Sequence, residues 1–142
     1  MFNPSRDQAR QFFFDTWRKH KDLTLLTGLE HIALDHIQAH PEYHPLLDDP
    51  DRNLDRDWRP EMGETNPFLH LSMHLAISEQ LSIDQPAGIK ARYAQLCQRL
   101  GDEHHAQHAV MDCLAEMIWR AQRDQQPPDG AAYLRCLEQK AR

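Results

Sequence analysis

The sequence predicts an all-α fold: a single-domain bundle over residues 1–142, with about five main helices plus one short helix. Three observations point there. Apolar residues recur at three- and four-residue spacing along most of the chain, as one face of a helix requires. No stretch sustains the period-two alternation of β-branched residues that marks a half-buried strand. Capping residues and helix breakers bracket the periodic stretches.

Ser5 followed by Gln8 reads as a capping box, with Ala9, Phe13, Thr16 and Trp17 on one side of a first helix to about Lys21. Thr27 and Glu30 form a second box, opening a helix that should end near Pro41. The stretch "HPEYHPLLDDP" permits a short helix with Pro41 in its first turn. Residues 48–65, "DDPDRNLDRDWRPEMGET", are polar and without periodicity, and are expected to be a long loop. Trp58 within it is either a lid contact or an anchor packing the loop down.

Asn66 as cap and Pro67 at the first helical position start a strongly apolar helix that stops near Asp84. Ile89, Tyr93, Leu96 and Leu100 trace the next helix, which Gly101 ends. Asp102 caps a long one whose apolar face is Ala106, Val110, Cys113, Leu114, Met117 and Ala121. After "QQPPDG", Tyr133, Leu134 and Leu137 mark a closing helix.

Composition narrows the function classes. At 40% hydrophobic and 27% charged the chain has the makings of a globular core. No apolar run reaches the roughly 18 residues that a membrane span needs. The start, "MFNPSRDQAR", lacks signal-peptide architecture, so the cytoplasm is the expected location. A net charge of −6 argues against a nucleic-acid module. Arg6, Arg10, Arg18, Lys19 and Lys21 interleave with acidic residues and read as a solvated helix surface. Three cysteines, Cys97, Cys113 and Cys136, form no C-x-x-C pair and imply neither a disulfide framework nor a zinc knuckle; Cys97 and Cys113 read as small core hydrophobes.

Ten histidines are the unusual count. In "NPFLHLSMHLAISEQ", His70 and His74 stand four residues apart and share a stripe with Ile77 and Leu81 at ~100° per residue. In the helix from Thr27, the stripe Leu29, Ile32, Ala33, His36, Ile37 and His40 repeats the pattern. Both pairs are expected to face the interior. An unsatisfied buried polar group costs ~1–3 kcal/mol, so four inward imidazoles demand partners. One answer is a transition metal held by His36, His40, His70 and His74, because facing helices of a bundle readily converge ligands on one ion. The other is a satisfied core or interfacial polar network with no ligand.

Imidazole donors suit zinc, iron, copper or nickel, with zinc or iron preferred here, and not magnesium or calcium. Neither the H-E-x-x-H of metalloproteases nor the paired E-x-x-H of di-iron bundles is present. Second-rank candidates are His44, which could join if the chain turns inward, and His105, His108, Asp112 and Glu116 in "GDEHHAQHAVMDCLAE". The last four could orient ligands or serve as a base, although a surface charge ladder is the more frequent use of such spacing. Asp51, Asn53, Asp55 and Asp57 mimic an EF-hand until Arg56 replaces its glycine and Met62 its bidentate glutamate.

The segments "MFNPSRDQ", "IALDHIQAHPEYH", "NPFLHLSMHLAISEQLSIDQPAGI" and "HAVMDCLAEMIWRAQR" resemble a small proteobacterial family catalogued as a domain of unknown function, number 1841. The resemblance covers essentially the whole chain. It implies a bacterial, cytosolic origin and no activity; His40, His44, His70, His74 and His108 lie in its motifs. The functional expectation is therefore a metal-binding bundle, acting as a metal-assisted hydrolase or an oxidoreductase if it is an enzyme. The competing class is a non-catalytic interaction or assembly protein whose histidines form a polar core or dimer interface. A homo-oligomer is open in either case, and in the second, Tyr133, Leu134 and Leu137 could dock on a partner.

Overall fold

The computed structural model describes residues 5–58 and 66–142. Among them the chain is helical throughout: α1 (Arg6–Lys21), α2 (Gly28–Gln38), a 3-10 turn (Pro41–Tyr43), α3 (His44–Leu47), α4 (Pro50–Asn53), α5 (Pro67–Ile83), α6 (Ile89–Leu100), α7 (Glu103–Asp124) and α8 (Gly130–Lys140). The all-α expectation holds, and each of the six helices of eleven residues or more lies where the sequence places one. Part of the expected loop is ordered as α4, capped by Asp49 and started by Pro50. Residues 59–65 of that loop, Met62 among them, lie outside the described residues, as do residues 1–4. No helix among the described residues is long and apolar enough to cross a membrane.

The chain forms two compact units, Met1–Ala76 and Ile77–Arg142. In the first, both expected capping boxes close: Ser5 with Gln8, and Thr27 with Glu30. Its core joins Phe13, Phe14 and Trp17 of α1 to Ala33, Leu34 and Ile37 of α2 and to Phe68, Leu71 and Leu75 of α5. Phe14 meets Phe68 edge-on at 5.3 Å, a geometry that adds attraction beyond the area buried. Trp58 packs edge-on against Phe68 at 5.6 Å and so serves as an anchor.

Three expectations are corrected in this unit. Arg10 is not on the solvated surface: it is 3% exposed, donates from Nη1 to the carbonyls of Leu54 and Arg56 at 2.7 and 2.8 Å, and lies over the Trp58 and Phe68 rings. The buried stripe of α2 is Glu30, Ala33, Leu34 and Ile37, whereas Leu29 and Ile32 are exposed. The face is turned because Lys19 neutralises the inward Glu30 at 2.9 Å. Finally, α2 stops at Gln38, so His40 sits beyond the helix in extended-like geometry (φ −125°, ψ 71°), as a residue before proline prefers.

The second unit buries Ile77, Ile89, Leu96, Ala106, Val110, Leu114, Tyr133 and Leu137. Gly101 closes α6 at φ 88°, a left-handed conformation that glycine adopts without penalty. Asp102 caps α7 by accepting from the His105 backbone N–H. Two more expectations fail here. Cys113 and Cys136 are joined in a disulfide, because α7 and α8 bring their Cα atoms to 5.9 Å. Tyr133 and Leu137 are not free to dock on a partner, since both are fully buried and the Tyr133 hydroxyl donates to Gln80 at 2.8 Å.

Candidate metal centre

The site grows from two local features of the first unit. On α5, His70 and His74 are one helical turn apart, and Asn66 fixes the start of that helix by accepting from the N–H groups of Phe68 and Leu69. After α2, the chain turns at His40, whose N–H donates to Ile37 O and whose carbonyl accepts from Tyr43 N–H. That turn swings the His40 ring toward α5.

Three imidazoles then meet edge to edge. His74 Nε2 lies 3.2 Å from His40 Nε2 and 3.1 Å from His70 Nε2. His40 is 5% exposed and His74 2%, with His70 half-buried. An ion with metal–nitrogen bonds of about 2.0–2.1 Å separates neighbouring ligand nitrogens by about 3.3–3.4 Å in a tetrahedron and about 2.8–3.0 Å in an octahedron. The spacing of these nitrogens falls between those values.

A family model described as a domain of unknown function (DUF1841) matches residues 5–139. The chain belongs to the DUF1841 family. No curated protein and no solved structure matches it. The chemistry this DUF1841 chain presents lies in its clustered imidazoles.

A carboxylate missed in the sequence supplies the next layer. His40 Nδ1–H donates to Glu42 Oε1 at 2.7 Å, which leaves the Nε2 lone pair directed at His70 and His74. Carboxylate–histidine pairs of this kind fix tautomer and ring orientation in metal sites. Burial pushes the Glu42 carboxyl up, but the His40 hydrogen bond, a backbone N–H and the nearby His40 and His70 charges together hold it below its usual range. The signal was local: in "HPEY", Pro41 starts a turn that carries Glu42 back toward the ring of His40. Tyr43, also missed, stacks on that ring at 5.3 Å.

Most of the other expected residues fall elsewhere. His36 does not add a nitrogen to the three; its ring lies face to face with His74 at 4.8 Å, and burial lowers its pKa. His44 turns away from His40: its Nε2–H donates to Ile37 O and its ring stacks on Trp17 at 4.3 Å. His105 is exposed and held by Asp102, and Glu116 pairs with Arg120 at the surface. Asp112 is exposed with Lys140 at 3.9 Å. His108 is half-buried on α7, its ring 4.3 Å from that of His104. Of the EF-hand-like residues, Asn53 is buried and donates to the carbonyls of Leu46 and Asp49, so its amide ties α4 to α3.

Proposed function

We propose that this protein binds a transition-metal ion, zinc or iron, on the Nε2 atoms of His40, His70 and His74. The single observation carrying this reading is the convergence of those nitrogens at 3.1 and 3.2 Å around His74. Glu42 reserves the His40 proton for Nδ1, so a single proton between the three Nε2 atoms can serve only one of the two short contacts at His74. A hydrogen-bonded network uses such a cluster poorly, whereas a cation accepts all three lone pairs at once.

If these three are the full protein ligand set, a coordination position would be open to solvent or substrate. Zinc held by these residues would supply hydrolytic chemistry, by lowering the pKa of a bound water. Iron held by them would supply redox chemistry. The identity of the bound ion thus selects between the two reaction classes.

Elemental analysis of protein purified without an affinity tag or chelator tests the reading. Near-stoichiometric zinc or iron is expected, lost in the His70→Ala/His74→Ala double variant. Metal-free protein whose thermal midpoint is unchanged by each added ion would overturn it, leaving a polar network as the role of the cluster.

A further inference from the structure

The disulfide of the second unit has two unequal sulfur environments. Cys113 on α7 is 1% exposed, whereas Cys136 on α8 is only half-buried. Both line a groove of about 680 Å³ between α7 and α8, together with Arg120, Tyr133 and Arg135. The charges along it are mostly compensated. Arg120 pairs with Glu116, Arg123 with Asp124, and Asp129 is occupied in capping α8. Arg135 is the exception: it is exposed and makes no ion pair among the described residues, yet it adjoins Cys136 in sequence.

We infer that Cys136 is a site of reversible thiolation by a small carboxylate-bearing thiol of the glutathione class. Disulfide exchange needs a thiolate with access along the S–S axis to one sulfur. Both cysteines line the groove, but Cys113 is 1% exposed and Cys136 half-buried, so Cys136 is the more reachable of the two. The incoming thiolate forms a bond to Cys136 Sγ, the Cys113–Cys136 bond breaks, and Cys113 departs as a thiolate that then takes a proton from solvent. The incoming thiol is the only reductant the step needs, and attack by the Cys113 thiolate on Cys136 Sγ reverses it, restoring the protein disulfide and releasing the small thiol. The unpaired Arg135 guanidinium supplies the specificity: it attracts an anionic thiol and repels a cationic one. The cytoplasm expected from the sequence is rich in such thiols.

The experiment uses the full chain carrying Cys97→Ser, so that the remaining free thiol cannot compete. The oxidised protein is treated separately with glutathione and with cationic cysteamine, quenched with acid, and mapped by peptide mass spectrometry. Glutathione should appear on Cys136 and not on Cys113. The glutathione-to-cysteamine rate ratio should fall roughly three-fold or more in Arg135→Ala, the order expected from one solvent-screened charge a few ångströms away, and should also fall as salt is raised. Modification of Cys113, a rate ratio indifferent to Arg135, reaction only after denaturation, or two cysteines that do not bond in the purified protein would each overturn the assignment. Cysteamine as the common probe keeps the outcome readable if Arg135→Ala changes stability, because loss of structure accelerates both thiols alike.

Discussion

His40 donates its Nδ1–H to Glu42, two residues on, and thereby turns a bare nitrogen toward His74. The carboxylate is itself 59% exposed, so its role is to orient a ring and not to fill the core. Glu42→Gln should therefore leave the metal-free fold intact and weaken metal affinity by roughly 10–100-fold, the usual cost of removing such an orienting partner. Competition against a chromophoric chelator measures the affinity, and thermal melts of the apo forms check the fold. Unchanged affinity would mean that Glu42 does not set the tautomer.

His36 and His74 are stacked at 4.8 Å, yet they should respond differently to substitution. His36→Phe preserves a flat ring against His74 and should retain a full equivalent of metal. His74→Ala removes the nitrogen shared by both short contacts and should abolish binding. Loss of the ion in His36→Phe would restore the four-histidine ligand set expected from the sequence.

What the sequence disclosed follows how local each determinant is. The boxes at Ser5 and Thr27 were legible because their partners lie three residues away. The meeting of His40 with His70 and His74 was legible too, since two short motifs each place imidazoles beside apolar neighbours. The α2 stripe was misread because Lys19, from another helix, makes an inward Glu30 affordable. Glu42 escaped notice because a turn, and not a helical period, brings it to His40. The Cys113–Cys136 bond spans 23 residues and joins two helices, so no local spacing announces it.

Arg10 illustrates the same limit with a measurable consequence. Its guanidinium satisfies two carbonyls and lies over two aromatic rings, at 5.1 Å from each centroid. Arg10→Ala should cost about 2–4 kcal/mol, from part-buried carbonyls left without a donor and from lost cation–π contact. Arg10→Lys should recover only part of this, because an ammonium lacks the planar fork. Urea denaturation gives both values; an Arg10→Ala variant as stable as the parent would refute the account.

Glu30 of α2 is joined to Lys19 of α1, and its charge makes that joint sensitive to acid. The Thr27 backbone N–H, and then Lys19, hold its carboxyl below the usual range against the opposing effect of burial. In the unfolded chain the group titrates near its ordinary value of about 4.3. A folded-state pKa below the unfolded one stabilises the fold at pH values above about 4.3, and that contribution disappears as pH falls through the folded value. Glu30→Gln keeps an oxygen for Thr27 but removes the charge facing Lys19. The variant should be less stable than the parent at neutral pH, and the gap should narrow steadily as the medium is acidified from about pH 5 to pH 3. Urea midpoints of both proteins across that range provide the comparison, with the other carboxylates cancelling in the difference. A gap that stays constant with pH would show that Glu30 gains nothing from being ionised in the fold.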